Sequence, residues 1–253
     1  MIFSRIIYSA ILIGIVTGAL LSCLQVVGLN PIIFAAETYE IESSASGTTS
    51  GGDHSDHSHD HGTASWAPED GLERTAYTFL ANISASIGFA AIMLAMMSQF
   101  WLSRNRNVSW TQGSLWGLAG FAALFLAPAI GLPPEIPGVV AAAVEHRQVW
   151  WALTAVSVAI GLGVIAFTTV RMKALGLVFL VIPYIVGAPH ADGPVFQHPD
   201  PAAVSALTQL HQQFIVTSAV TNLVFWLLLG LACRFAFNRW FRKIQPSDDY
   251  VRA

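Results

Sequence analysis

Charged residues and cysteines are scarce in this sequence. Only 11% of its 253 residues are Asp, Glu, Lys or Arg, whereas an ordinary soluble domain carries about 25%. The two cysteines, Cys23 and Cys233, stand in apolar runs near opposite ends of the chain and form no CxxC motif. They therefore say nothing about the redox compartment.

Motifs that accompany common enzymatic chemistry are also missing. The sequence has no GxxxxGK[ST] phosphate loop, no GxGxxG and no GxSxG, so it contains no recognisable ATP-hydrolysing engine. A metal-dependent membrane enzyme would need fixed ligands with a general base on a helix, as in HExxH, and that motif is absent too. We therefore expect neither an enzyme nor a nucleic-acid partner.

Long apolar runs are what the sequence does have, with 54% hydrophobic residues overall. A helix needs about 20 apolar residues to cross a bilayer, so we predict an all-α polytopic membrane protein forming one membrane domain. The first run is too long for the apolar region of a signal peptide, and we expect a retained helix in which Gly14 and Gly18 allow close helix packing. About six spans are predicted, five if the short fifth run does not cross: 6–29, 76–98, 112–131, 149–170, 174–188 and 214–233.

The positive residues alternate along the chain in a way that sets the orientation. With six spans and a cytoplasmic N-terminus, ten Lys and Arg residues lie inside, and only Arg74 and Arg147 lie outside. This distribution follows the positive-inside rule. It places both termini in the cytoplasm and puts every histidine, with 13 of the 15 acidic residues, on the outer face.

A histidine-rich cluster stands in the long polar connection predicted for residues 31–75. Within residues 53–61 lie four histidines and three aspartates, in a Gly-, Ser- and Thr-rich setting without apolar periodicity. We expect this outer loop to be disordered when nothing is bound. Imidazole and carboxylate ligands suit a borderline divalent metal, so we predict a capture site made of Asp53, His54, Asp56, His57, His59, Asp60 and His61.

Further candidate metal ligands lie at the outer ends of the predicted spans. They are Glu145, His146, His190, His198 and His211. For the acidic residues at this rim, Glu73, Glu135 and Glu145, a solvated helix end is the simpler interpretation. Two stripes of uncharged polar and thioether side chains could line a passage through the helices: Asn82, Ser86, Met93 and Met97 on the second span, and Ser218 and Asn222 with His211 on the last. For the methionine pair, ordinary packing is the favoured interpretation.

Several distinct sequence blocks follow one another along nearly the whole chain. Besides the His-rich loop, they are WAPEDGLER at 66–74, LWGLAGF at 115–121, APAIGLPP at 127–134, RQVWW at 147–151, GAPH at 187–190 and TNLVFW at 221–226. Together they resemble the CbtA family of predicted bacterial cobalt transporter subunits. The resemblance implies cobalt uptake associated with cobalamin metabolism and a small membrane partner, CbtB, that bears its own histidines. The family is usually described with five spans.

Taken together, these observations predict a subunit of a divalent metal uptake transporter in the bacterial inner membrane. The external loop would capture the metal, and the helix bundle would pass it inward. A metal-binding accessory or sensor protein without transport activity is the alternative, because the same loop would serve it. Cobalt comes from the resemblance alone: the ligands also suit nickel, zinc and copper. The sequence leaves open whether the chain forms a homo-oligomer.

Overall fold

The computed structural model describes residues 2–46, 71–104 and 108–240. Its regular elements in these residues are helices, and the one bridge between extended segments joins Val139 to Phe196. In chain order the helices are α1 (Ile2–Gly28), α2 (Asn30–Ser46), α3 (Leu72–Arg104), α4 (Trp110–Phe121), a π-helix (Ala122–Leu126), α5 (Ala127–Gly131), α6 (Val144–Phe167), α7 (Val170–Val186) and α8 (Pro201–Trp240).

Five of the described stretches are long and apolar enough to cross a bilayer: Phe3–Gly28, Leu72–Gln99, Trp110–Gly131, Val144–Phe167 and Pro201–Arg239. Large apolar side chains such as Ile92, Leu115 and Val156 are exposed on the outside of the bundle, where a lipid solvent would cover them. The chain is an all-α polytopic membrane protein, as the sequence predicted.

The fifth predicted run is a helix of 17 residues, α7. It spans about 25 Å, somewhat less than a hydrocarbon core of about 30 Å. It begins four residues before the predicted position 174 and runs antiparallel to α6, with Gly161 and Gly176 in backbone contact. Near the start of α6, the Trp150 Nε1 donates to the Pro183 carbonyl oxygen at 3.1 Å. Thus α7 returns the chain to the end of the bundle where α6 begins.

Helices α1 and α3 pack backbone against backbone. A Cβ atom on Gly14 would lie 2.5 Å from the Ile87 Cα, and one on Gly18 would lie 2.6 Å from the Ile83 Cα. The prediction that this pair of glycines permits close approach is confirmed. Together with α8, these helices enclose the main core, which includes Leu94, Leu229 and Phe237.

The third predicted span contains the π-helix just before Pro128. Because proline has no N–H, one carbonyl of the preceding turn receives no backbone donor, and such local widening accommodates the break. Helix α7 supplies a donor beside it, since the Tyr184 hydroxyl donates to the Ala127 carbonyl oxygen at 2.8 Å. Pro128 itself is fully buried.

Two predicted boundaries were wrong outside the apolar runs. Residues 30–46 form helix α2, although we predicted a polar connection from residue 31. The last helix begins at Pro201, thirteen residues before the predicted start of the span. Both departures have one cause: Ile32, Ala36 and Tyr39, one face of α2, pack against Leu207 and its neighbours on α8. This packing stabilises helix beyond the apolar spans.

Candidate functional site

One end of the bundle carries a small cap, which is formed by α2, residues 132–143, residues 187–200 and the first turns of α8. It is here called the outer cap, after the side on which the sequence analysis predicts it. It has its own apolar core of Ala36, Ile136, Phe196 and Leu207. The Val140 amide donates to the Val195 carbonyl oxygen at 2.9 Å and ties the two connecting segments together. All four histidines in the described residues lie in or beside this cap.

His211 fastens α8 to the segment that follows α5. Its Nε2 lies 3.0 Å from the Pro134 carbonyl oxygen, and its ring packs edge-on against Phe196 at 5.8 Å between centroids. Because a carbonyl can only accept, the Nε2 carries the proton in this contact. His211 therefore keeps its Nδ1 as the nitrogen that could bind a metal.

His198 is held by its own loop. Its Nδ1 accepts from the Asp200 backbone amide at 3.1 Å, so its proton lies on Nε2. That Nε2 is buried and has no hydrogen-bond partner among the described residues, and the ring lies edge-on to Tyr39 at 6.5 Å. In this conformation neither ring nitrogen of His198 offers a free lone pair to a metal.

The other three candidates at this end are exposed and dispersed. Glu145 and His146 lie in the first turn of α6 and His190 lies in the loop after α7. No group of three or more His, Cys, Asp or Glu side chains placed to hold a metal occurs within residues 2–46, 71–104 and 108–240. The predicted capture loop, residues 53–61, lies outside these residues.

A cavity of about 470 Å³, here called the outer cavity, opens beside the outer cap. One wall is the π-helix and α5, and the other is the first two turns of α6. Glu135 and Arg147 line it and form an ion pair through the Arg147 Nη2. Their side chains are 22% and 30% exposed. Gln148 and Trp151 complete the side formed by α6.

The predicted stripe on α3 faces α1 and the core. The Asn82 amide donates to the Gln25 Oε1 at 2.6 Å and to the Ser22 Oγ at 3.0 Å, both on α1. Met93 and Met97 are buried among apolar side chains of the main core. These contacts are those of helix packing, the interpretation favoured for the methionines. Ser86 is different, because its hydroxyl is fully buried and has no partner among the described residues.

The described hydrogen bonds of the stripe on α8 stay within that helix or reach the segment after α5. Ser218 is buried, and its carbonyl oxygen accepts from the Asn222 amide of the same helix at 3.0 Å. A second cavity, here called the apolar cavity, has about 490 Å³ and lies between α3, α4 and the C-terminal half of α6. Its described lining is apolar apart from Gln112, the thioethers of Met93 and Met96 and the indoles of Trp116 and Trp226. Among the described residues it contains no carboxylate or imidazole, so it offers little to replace the hydration of a cation.

Two polar contacts were not predicted from the sequence. The Glu135–Arg147 pair joins residues 12 apart across a proline-rich break, and Gln25 meets Asn82 across 57 residues. In the sequence, Glu135 and Arg147 are charged residues at the ends of apolar runs. Such a position indicates that each side chain has a partner, but it does not identify that partner. Gln25 was visible as the one amide in the first apolar run.

Comparison with known proteins agrees with this picture of a multi-helix membrane subunit. A model of the CbtA family, described as a probable cobalt transporter subunit, matches residues 3–238. Neither the curated proteins nor the solved structures gave a significant match. Because the family model spans nearly the whole chain, including every described helix, the protein belongs to the CbtA family of probable cobalt transporter subunits.

Proposed function

We propose that this chain is the membrane subunit of a cobalt uptake transporter and that its His- and Asp-rich loop captures the metal outside the cell. Membership of the CbtA family carries the proposal. The loop is added because seven potential ligands within nine residues, from Asp53 to His61, suit a divalent metal. A small His-bearing membrane subunit of the CbtB kind is the proposed partner.

The proposed orientation places the loop and the outer cap outside a bacterial inner membrane and both termini inside. Ten of twelve Lys and Arg residues then face the cytoplasm. This count requires α7 to cross as a sixth span, and its course beside α6 supports that, since Trp150 near the start of α6 bonds to Pro183 near the end of α7. If α6 crosses, its antiparallel neighbour returns the chain to the outer side.

The decisive experiment is metal uptake by membrane vesicles that contain the chain alone or with its proposed partner. Cobalt, nickel and zinc are offered separately, and metal inside the vesicles is measured after external metal has been removed by chelation. We expect cobalt accumulation that depends on the chain. An accessory or sensor protein would hold metal outside and leave the internal content unchanged, and that result would exclude transport.

The capture loop is tested in the same vesicles by deleting residues 53–61. A companion variant keeps the loop length and replaces its four histidines and three aspartates with serine. We expect both variants to take up less cobalt at low concentration and to approach the unmodified protein at high concentration. Because protons compete with metal for imidazole, this loop-dependent part of uptake should fade below a pH of about 6.5. Unchanged uptake at low cobalt would show that the loop is a linker without a role in metal capture.

A further inference from the structure

We propose that the outer cavity binds the divalent cation on the Glu135 carboxylate and that Arg147 is the exchangeable counter-ion that occupies this carboxylate when no cation is bound. The proposal rests on the proposed function for the identity of the cation. It adds a second binding position, inward of the capture loop, that is built from the helix bundle itself.

The first support is the position of the carboxylate. A cation that leaves water needs compensating negative charge, and no Asp or Glu lies in the middle of a predicted span. Of the two cavities described above, only the outer one is lined by a carboxylate, that of Glu135. The other acids whose side chains the structure describes are exposed, as Glu145 and Asp192 are, or lie elsewhere in an ion pair, as Glu37 does with Arg74.

The second support is that Arg147 is incompletely coordinated. Its Nη2 bonds to Glu135, but its Nε is buried and has no hydrogen-bond partner among the described residues. A buried donor without a partner is costly, and moving it into water recovers that cost. Arg147 belongs to the first turn of α6 and keeps 30% of its side chain exposed, so its long side chain can turn outward without unfolding the helix.

The third support is the set of neighbouring ligand atoms. Gln148 and the Pro134 residue also line the outer cavity, and the Pro134 carbonyl oxygen is the atom that His211 contacts. A carboxylate and an amide oxygen are ligand types that divalent metals accept, whereas the Pro134 carbonyl oxygen is engaged by His211, which does not line the cavity. The cavity is less suited to an anion. An anion would have to bind Arg147 next to the negative charge of Glu135, and Glu135 is the less exposed member of the pair.

Neutralising each partner separately distinguishes these cases, because the two changes act in opposite directions. The protein lacking residues 53–61 is reconstituted in lipid nanodiscs, so that the loop does not contribute, and Co²⁺ binding is measured by calorimetry. We expect Arg147→Gln to tighten the Kd by roughly threefold to tenfold, the scale of losing a partly exposed competing charge. Glu135→Gln should weaken binding by about tenfold or more. Asp192→Asn, an equal loss of one negative charge at an exposed position of the outer cap, should leave the Kd unaltered.

A purely structural ion pair gives a different pattern. Both variants would then lower the melting temperature and neither would shift the Kd for Co²⁺ beyond the Asp192→Asn control, which would overturn the proposal. If Arg147→Gln cannot be purified, Arg147→Lys replaces it. Its single ammonium group competes less well for the carboxylate, so we expect tightening smaller than for Gln, and unchanged or weaker binding would contradict the proposal.

The same measurements separate this site from the transport function. Opposite shifts in Kd without any cobalt accumulation in vesicles would keep the site and reject transport. Cobalt accumulation together with a Kd that is indifferent to both substitutions would keep transport and reject the site.

Discussion

The two sides of the helix bundle are packed in different ways. On one side α1, α3 and α8 meet through glycines and a continuous buried core. On the other side the apolar cavity, of about 490 Å³, separates α6 from α3 and α4. The outer cavity, of about 470 Å³, lies between α6 and the π-helix with α5. Close packing leaves few alternative arrangements, so we infer that the first side is the fixed scaffold and the second is where side chains can rearrange.

The two cavities in turn show that size alone does not identify a cation site. They differ by only about 20 Å³, yet Gln112 is the one amide that lines the apolar cavity, whereas Glu135, Arg147 and Gln148 line the outer one. A divalent ion gives up hydration only to ligands that replace it. The chemistry of the lining therefore assigns the outer cavity to metal and leaves the other to packing.

The largest effect should come from disturbing the fixed side at Gly14. In Gly14→Ala the new Cβ would lie 2.4 Å from the Ile87 Cγ1 and 2.5 Å from its Cα, so α1 and α3 must separate. We expect a loss of about 3 kcal/mol in unfolding free energy, the upper part of the usual range for overpacking. Reversible denaturation in detergent micelles measures it.

Gly88→Ala is the matched control, since it makes the same change on α3, one residue from Ile87. A Cβ there meets no atom within 4 Å, so we expect a change within about 0.5 kcal/mol. Equal stability of the two variants would show that α1 and α3 are not held at the observed distance, and the contrast between the two sides would fail.

A smaller effect is expected from the amide that joins α1 to α3. Asn82→Ala removes two hydrogen bonds to α1, at 2.6 and 3.0 Å, and we expect a loss of about 1 kcal/mol, typical of polar contacts between membrane helices. Asn222→Ala is the control, because that amide bonds only to the Ser218 carbonyl oxygen of its own helix. An equal loss in both variants, measured by the same denaturation, would deny Asn82 an interhelical role.

The helices that cross the bundle were largely predictable from the sequence, because an apolar run reports burial in lipid directly. The outer cap was not predictable in this way, because the apolar residues of α2 recur on one face of a helix and do not form a continuous run. In residues 30–46 the side chains of Ile32, Ala36 and Tyr39 recur at helical spacing. The polar residues that follow α2 dominate the average composition of residues 31–75, so this composition did not predict the helix.

The candidate site was predictable only as a set of residue types on one face. Glu135, Arg147 and His211 were all placed at the outer end by the alternation of charge. Which of them meet depends on how residues 132–143 fold back after α5, and no periodicity describes that segment. The His211–Pro134 contact joins residues 77 apart, and only tertiary packing decides it.

The smallest effect should come from filling the apolar cavity. Gly163 lines this cavity, and a Cβ there meets no atom within 4 Å, so Gly163→Leu places its first side-chain atom in open space and adds apolar volume at the cavity. We expect unchanged folding and cobalt uptake within about twofold of the unmodified chain, which corresponds to less than about 0.5 kcal/mol. The matched variant is Ala129→Leu, which fills the outer cavity and should lower uptake at limiting cobalt. If Gly163→Leu abolished uptake in a protein that still folds while Ala129→Leu did not, the metal would pass through the apolar side, and the assignment of the two cavities would have to be exchanged.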